Sequence, residues 1–208
     1  MVYVAVEGDV RAYPLEILLW HEVINDVVGG IPVLVTYCPL CNTAITFDRR
    51  LRGESLQFGV SGLLRRSDLV IYDIQTESLW QQIGGTALVG DLVGAELPVI
   101  PSSIVSWAQL RDQFPEALVL SRNNGSGLRY GSTPYTLYDD TTARADSRRL
   151  FDGEHDDRLP FAERVVGISL NGAAVAFPFT LLAERRSVGG EVGDKRSRSS
   201  GRPARARL

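Results

Sequence analysis

The sequence predicts an α+β fold that is dominated by strands and built from a duplicated strand-turn-strand-helix unit, the second copy of which is truncated. Three observations support this prediction. Apolar, β-branched runs separated by Gly, Asp, Arg and Ser clusters occupy residues 31–83, as is typical of strands. A helical spacing of apolar residues begins after Pro14. A pattern near the N-terminus recurs 164 residues later.

The first predicted element is a β-hairpin over residues 2–13. Val2–Val6 alternates with small or polar residues, and Glu7-Gly8-Asp9 supplies turn chemistry before the chain extends again. Pro14 then suits the first turn of a helix, which we expect to end at Gly29-Gly30. On such a helix two polar pairs would each lie four residues apart, His21 with Asn25 and Glu22 with Asp26.

Strands are predicted for the middle of the chain, and a short helix after them. The apolar runs lie at Ile31–Tyr37, Asn42–Phe47, Leu56–Val60, Leu69–Tyr72 and Leu79–Ile83. Ser106 and Gln109 have the spacing of a capping box, which predicts a helix ending at Phe114 before Pro115.

The repeat organises the chain. Residues 4–18 recur as residues 168–182 in strand, turn and helix-start pattern, from Val4-Ala5-Val6-Glu7-Gly8 and from Ile168-Ser169-Leu170-Asn171-Gly172. We therefore expect one domain over residues 1–183, with a first unit at about 2–120, a loop-rich linker at about 121–160 and the start of a second unit at about 161–183. Residues 184–208 have no apolar periodicity and read as a disordered basic tail.

Composition excludes several classes of protein. A formal charge of −3 does not favour nucleic-acid binding, and the chain has neither an apolar run long enough for a transmembrane helix nor an N-terminal signal segment. From the sequence as written, we therefore expect a cytoplasmic protein. Motifs for nucleotide binding and the nucleophile elbow of serine hydrolases are missing.

Cys38 and Cys41, the only cysteines, have the spacing of zinc knuckles and of redox dithiols. Because β-favouring residues follow Cys41, the site lacks the helix N-terminus of thioredoxin-like dithiols. A metal would need ligands besides the two thiols, and the candidates are His21, Glu22, Asp26, Asp68, Asp73 and His155. A disulfide and two buried free thiols are the other interpretations.

The leading hypothesis is a transition-metal site formed by Cys38, Cys41 and His21, holding zinc, copper or iron. Further residues could support the site or line a small-molecule pocket, namely Glu22, Asn25, Asp26, Ser61, Asp68, Trp80 and Gln81. Thiol–disulfide exchange at the same cysteines and a non-catalytic ligand-binding or scaffold module are the alternatives. Whether the protein is an enzyme, and on what substrate, stays open at this point.

The chain resembles a bacterial and archaeal family catalogued as domain of unknown function 3179. The resemblance covers most of residues 2–182 and is carried by five motifs: Ala12-Tyr13-Pro14, Trp20-His21-Glu22-Val23-Ile24-Asn25-Asp26, Tyr37-Cys38-Pro39-Leu40-Cys41, Phe58-Gly59-Val60-Ser61-Gly62-Leu63 and Ser78-Leu79-Trp80-Gln81. The family name implies no reaction, but it implies that the full-length protein is exported or lipid-anchored. Family members extend further at both ends, so we interpret this chain as an incomplete copy, from a shifted reading frame or a truncated gene model.

Overall fold

The computed structural model describes residues 1–132, 134–135, 151, 153–154, 156–160, 163–185, 187–193 and 195–200. The chain divides into two compact units, Met1–Gly153 and Glu154–Leu208. Strands dominate both, as the sequence predicts.

Sixteen elements are described in the first unit. They are β1 (Val2–Val6), β2 (Asp9–Tyr13), α1 (Leu15–His21), β3 (Val23–Val28), β4 (Ile31–Cys38), β5 (Thr43–Asp48), β6 (Arg50–Leu51), β7 (Glu54–Ser55), β8 (Phe58–Arg65), β9 (Asp68–Asp73), β10 (Leu79–Gln81), β11 (Thr86–Val89), β12 (Val99–Ile100), β13 (Ser102–Ile104), α2 (Trp107–Gln113) and β14 (Leu118–Val119). The predicted hairpin over residues 2–13 is confirmed as β1 and β2. The predicted capping box is also confirmed, since Ser106 and Gln109 bond reciprocally at the start of α2.

The strands of the first unit form three four-stranded sheets. The N-terminal sheet has the order β13-β1-β2-β14, the central sheet β12-β5-β4-β3, and the third sheet β11-β10-β9-β8. All pairs in the central and third sheets are antiparallel. A short hairpin of β6 and β7 stands apart.

The central sheet is buried on both faces. Val33, Val35 and Tyr37 of β4 pack in one core with α1 and the N-terminal sheet. Leu34 and Cys38 point the other way, into a core shared with the third sheet. This alternation follows from the two-residue period of a strand. Cys38 therefore lies at the end of β4, in the layer between the central and third sheets.

The predicted extent of the first helix is wrong. α1 ends at His21, and Glu22 takes a left-handed conformation with φ 57° while its N–H donates to Leu18 O. Residues 23–28 then form β3, which pairs with β4 in register. This stretch contains Val23, Ile24, Val27 and Val28, and β-branched side chains favour a strand that can pair with a neighbour. His21 and Asn25 consequently do not share a helix face, nor do Glu22 and Asp26.

The second unit contains β15 (Val165–Leu170), β16 (Ala173–Pro178), α3 (Phe179–Glu184), β17 (Ser187–Val192) and β18 (Lys195–Ser200). The last two pair as an antiparallel hairpin, which corrects the predicted disordered tail. Backbone pairing and the burial of Phe177, Leu182 and Val192 provide the order that the polar composition conceals. Residues 201–208 lie outside the described part of the chain.

The order of elements in the second unit matches that of β1, β2, α1, β3 and β4 at an offset of 164 residues. The turns match as well, because Glu7 and Gly8 have φ 49° and 85° while Asn171 and Gly172 have φ 51° and 76°. A close approach recurs too. A Cβ on Gly29 would lie 2.3 Å from Val6 O, and one on Gly193 would lie 2.5 Å from Leu170 O.

The predicted linker at 121–160 falls partly outside the described residues, and its described part has neither helix nor strand. Among the helices of the described residues, none has the length and apolar character that crossing a membrane requires.

Candidate metal centre

The two cysteines meet at the turn between β4 and β5. Cys38 pairs with Thr43 at the end of the ladder, and Asn42 N–H donates to Pro39 O at 3.3 Å to close the turn. Asn42 has φ 51°, a left-handed conformation that asparagine tolerates. The resulting Sγ–Sγ distance is 3.3 Å. Cys38 is buried and Cys41 is partly exposed.

Asp68 joins the cysteines from the third sheet. The turn between β8 and β9 has two left-handed residues in succession, Arg66 and Ser67, a conformation that suits a two-residue hairpin turn. It places Asp68 Oδ1 at 3.7 Å and Ser67 O at 3.2 Å from Cys41 Sγ. Ser67 O also lies 3.8 Å from Cys38 Sγ. Ligand atoms of Cys38, Cys41 and Asp68 all lie within 4.8 Å of one another, so the three residues are close enough to hold a metal ion.

Asp68 is held in place by groups of the third sheet. Its Oδ2 accepts from Ile83 N–H at 3.0 Å, and the side chain of Gln81 also bonds the carboxylate. Gln81 Oε1 in turn accepts from the guanidinium of Arg65. Burial raises the pKa of Asp68 above its usual value, against the effect of these hydrogen bonds.

The pKa values of the two thiols are shifted in opposite directions. The hydrogen bond from the Cys41 thiol lowers the pKa of Cys38, and the backbone N–H groups of Cys41 and Leu69 lower it further. The pKa of Cys41 is raised, mainly because its proton is held by Cys38 and also because the thiol is buried. Of the two thiols, Cys38 is therefore the one that ionises more readily.

Four of the distances between the donor atoms are similar to those between neighbouring ligands of a zinc ion. Zinc holds sulfur at ~2.3 Å and oxygen at ~2.0–2.2 Å, which puts neighbouring ligand atoms roughly 3.3–3.8 Å apart. The two sulfurs lie 3.3 Å apart, Ser67 O lies 3.2 Å from Cys41 Sγ and 3.8 Å from Cys38 Sγ, and Asp68 Oδ1 lies 3.7 Å from Cys41 Sγ.

His21 is not in this group. Its Nε2 lies 2.5 Å from the hydroxyl of Tyr130, and the two ring centroids are 5.8 Å apart. Among the described residues, the potential ligand atoms that lie within 4.8 Å of one another are those of Cys38, Cys41 and Asp68. The structure thus brings together two members of the predicted ligand trio and adds Asp68, which the sequence places among the supporting residues.

Other predicted site residues occupy structural positions at the end of α1 and along β3. Glu22 Oε1 accepts from Tyr135 hydroxyl at 2.6 Å. Asn25 clamps the backbone of Phe58, donating to its carbonyl at 2.8 Å and accepting from its N–H at 2.9 Å. Asp26 accepts from the hydroxyl of Tyr13 at 2.9 Å. Asn25 and Asp26 therefore connect elements of the fold.

Trp80, Ser61 and Asp73, which the sequence also assigns to the site, make contacts within the third sheet. Trp80 is fully buried, and its Nε1 donates to Asp73 Oδ2 at 2.9 Å. The hydroxyl of Ser61 donates to Val70 O beside an irregularity in the pairing of β8 with β9. The hydrogen bond from Trp80 holds the buried carboxylate of Asp73 within the third sheet. His155 lies outside the described residues.

Sequence reasoning missed the contribution of backbone groups, namely Ser67 C=O and the N–H groups of Cys41 and Leu69. Side-chain type carries no signal for them. The only available clue was the Arg66-Ser67 pair between two apolar runs, since a hairpin turn there would carry Asp68 to the start of a strand.

The fold and the site together define a β-dominated α+β protein in which two thiols and a carboxylate lie close enough to hold a metal ion. The chain matches the family model described as Protein of unknown function (DUF3179) over residues 1–206 and belongs to that family. This confirms the resemblance inferred from the motifs. Comparison with curated proteins and with solved structures yielded no match.

Proposed function

We propose that this protein binds a transition-metal ion, with zinc as the best fit, through the thiolates of Cys38 and Cys41 and the carboxylate of Asp68. The convergence of these three ligand atoms within 4.8 Å carries the proposal. Two thiolates with an oxygen donor suit zinc, which accepts both sulfur and carboxylate ligands. Three protein ligands leave a fourth position for a small molecule, as in catalytic zinc sites.

The electrostatics of the site support a cation. Asp68 raises the pKa of both thiols by its charge, since like charges at close range disfavour ionisation. Oxygen acceptors of Ser67 and Asp68 already surround Cys41. A divalent ion would replace the Cys41 proton and offset the repulsion among three anionic ligands.

The test is metal analysis of protein purified without a polyhistidine tag, before and after exposure to zinc. We expect about one ion per chain, strong loss in Cys38→Ser, and weakened affinity in Asp68→Ala, because ligand removal leaves an incomplete coordination shell. His21→Asn is the matched control and should retain the metal. Metal that persists unchanged in Cys38→Ser, or that depends on His21 but not on Asp68, contradicts the proposal.

Thiol–disulfide exchange is the second candidate, favoured by the Sγ–Sγ distance of 3.3 Å. A bond of about 2.05 Å needs only a modest closing movement. The site supports this function less, since the pKa is lowered at the buried Cys38 and raised at the more exposed Cys41, whereas exchange needs an accessible thiolate. A mixed disulfide trapped on Cys38 in a Cys41→Ser variant, in protein that binds no metal, would favour exchange.

We also infer that the five shared elements of the two units derive from one duplicated segment. The matched turns and the matched close approaches of Gly29 and Gly193 support this inference. In this interpretation the second unit repeats the scaffold of β1 to β4, without a counterpart of the Cys38-Cys41 turn among the described residues.

A further inference from the structure

Gln82 carries a buried hydrogen-bond acceptor that no described residue satisfies. The side chain is fully buried, and its Oε1 has no hydrogen-bond partner among the described residues. A buried polar atom without a partner costs free energy, so such atoms are rare in folded proteins and call for an explanation. A bound water or ligand that donates a proton is the usual one.

The orientation of the Gln82 amide is fixed by two strands of the central sheet. Its Nε2 donates to Thr36 Oγ1 at 2.8 Å and to Thr43 O at 3.3 Å. A backbone carbonyl can only accept, and the hydroxyl of Thr36 already donates to Ile45 O at 2.7 Å. Exchanging the nitrogen and the oxygen of the amide would therefore lose both bonds, so Oε1 is the atom without a donor.

Gln82 lies between the two parts of the candidate metal centre. Its N–H donates at 3.0 Å to the carbonyl of Leu69, which directly follows Asp68. At the other end, its amide bonds Thr43, which pairs with Cys38 in the ladder of β4 and β5. The side chain thus runs from the Asp68 end of β9 to the strand pair that carries the cysteines.

One metal-bound molecule is long enough to connect Cys38 with this amide. Thr36 and Cys38 lie on the same face of β4, two residues and therefore about 6.5–7 Å apart. A zinc–sulfur bond of ~2.3 Å, a zinc–oxygen bond of ~2.0–2.2 Å and a hydrogen bond of ~2.7–2.8 Å cover a comparable distance. An oxygen in the fourth position of the metal can therefore reach Gln82 Oε1.

The charge of the ligand set favours a neutral molecule in that position. Two thiolates and the carboxylate of Asp68 together exceed the charge of a zinc ion, so a fourth anion would be repelled. Arg65, a cation of this network, reaches Asp68 through Gln81, and it is exposed to solvent, where water weakens its effect. Gln82 Oε1 adds the requirement for a proton donor, since one acceptor cannot bond another.

We propose that the fourth position of the metal takes water or another neutral hydroxyl compound, and that the O–H group of this molecule donates to Gln82 Oε1. Gln82 then binds the ligand and does not bind the metal. Anions without a proton, such as azide, are disfavoured because they displace this molecule and leave Gln82 Oε1 unsatisfied. The proposal rests on the proposed metal function and names the class of ligand that the metal takes.

The experiment follows azide binding to cobalt-loaded protein by the visible absorption of the cobalt ion, which changes when its ligands change. Gln82→Met keeps the length of the side chain and removes the acceptor. We expect Gln82→Met to bind azide about tenfold more tightly than wild type, because the molecule that azide displaces has lost a hydrogen bond. Gln113→Met, at an exposed position in α2, is the matched control and should bind azide like wild type.

The outcomes separate this proposal from the metal function on which it rests. Equal azide affinity in wild type and Gln82→Met, with cobalt bound to both, overturns the proposal and leaves the metal function standing. Equal tightening in Gln113→Met has the same consequence. Wild-type protein that binds no metal ends both.

A second measurement uses wild type alone, because Gln82→Met also loses the bonds to Thr36 and Thr43, which weakens the fold. A crystal structure of the zinc-loaded protein should contain a non-protein oxygen at ~2.0–2.2 Å from zinc and about 2.7–2.8 Å from Gln82 Oε1. A zinc ion whose fourth ligand comes from the protein, or a fourth ligand that does not contact Gln82, rejects the proposal.

Discussion

At the residue scale, the chemistry of the site depends on unequal neighbours around two identical thiols. Cys38 accepts hydrogen bonds from the Cys41 thiol and from backbone N–H groups, whereas Cys41 faces the oxygens of Ser67 and Asp68. Donors favour a thiolate and acceptors disfavour it. The Cys41 thiol and the backbone N–H groups therefore lower the pKa of Cys38, whereas the pKa of Cys41 is raised.

Replacing Cys41 with alanine should raise the pKa of Cys38 in the metal-free protein, because the variant loses the donor that contributes most to lowering that pKa. The thiolate would then form at higher pH than in wild type. Ultraviolet thiolate absorption followed across a pH titration measures the shift. Cys41→Ser keeps a hydroxyl donor and should shift the pKa less. An unchanged or lowered pKa of Cys38 in Cys41→Ala would show that the Cys41 thiol does not lower that pKa.

At the element scale, the arrangement of β3 and β4 depends on the turn between them. Gly29 has φ 54° and lies against the end of β1, where a Cβ would approach Val6 O to 2.3 Å. Gly30 also has positive φ, 77°, but a Cβ there would meet nothing within 4 Å. Substitution of Gly30 would therefore cost only the strain of a left-handed backbone, whereas substitution of Gly29 would add a steric clash.

We expect Gly30→Ala to lower the free energy of unfolding by about 1–2 kcal/mol, which is the usual cost of a left-handed conformation for an L-residue. Gly29→Ala should cost more, since the added methyl also collides with backbone that cannot rotate away. Urea denaturation of both variants measures the difference. Equal losses would show that the turn does not need the close approach to β1.

The second unit provides an independent comparison. Gly193→Ala should loosen the β17–β18 hairpin, because the equivalent Cβ would approach Leu170 O to 2.5 Å. Hydrogen exchange restricted to residues 187–193 reports this effect. Unchanged protection there would remove the strongest structural support for the duplication.

At the scale of the whole molecule, the site connects two sheets. Cys38 and Cys41 belong to the turn between strands of the central sheet, whereas Asp68 begins a strand of the third sheet. The core between these sheets contains Cys38, Leu34, Phe58 and Trp80. A metal bound to all three ligands would link the two layers that enclose this core.

Zinc should therefore stabilise the wild-type protein against unfolding. At a free concentration about one hundred times the dissociation constant, linkage predicts a gain of about 2.7 kcal/mol. Thermal denaturation with and without zinc measures the gain. Cys38→Ser should lose it, and His21→Asn should keep it. Equal stabilisation of wild type and Cys38→Ser would place the bound ion elsewhere.

The local pattern of residue types in the sequence was sufficient to predict much of the fold. Alternating and β-branched runs correctly predict the hairpin at residues 2–13 and the strands that flank Cys38 and Cys41, and Ser106 correctly predicts the start of α2. Pattern failed at residues 23–28, because their apolar spacing fits a helix while their β-branched side chains pair with β4. It also failed at residues 187–200, where backbone pairing orders a polar stretch.

The sequence by itself determined the family, the dominance of strands and the approach of Cys38 to Cys41, since each of these depends on residues close together in the chain. Only the tertiary structure decided that Asp68 joins the thiols and that His21 turns to Tyr130. Both outcomes depend on how separate sheets and segments stack. Local propensity leaves that stacking undetermined, because contacts between distant elements follow from packing the whole core.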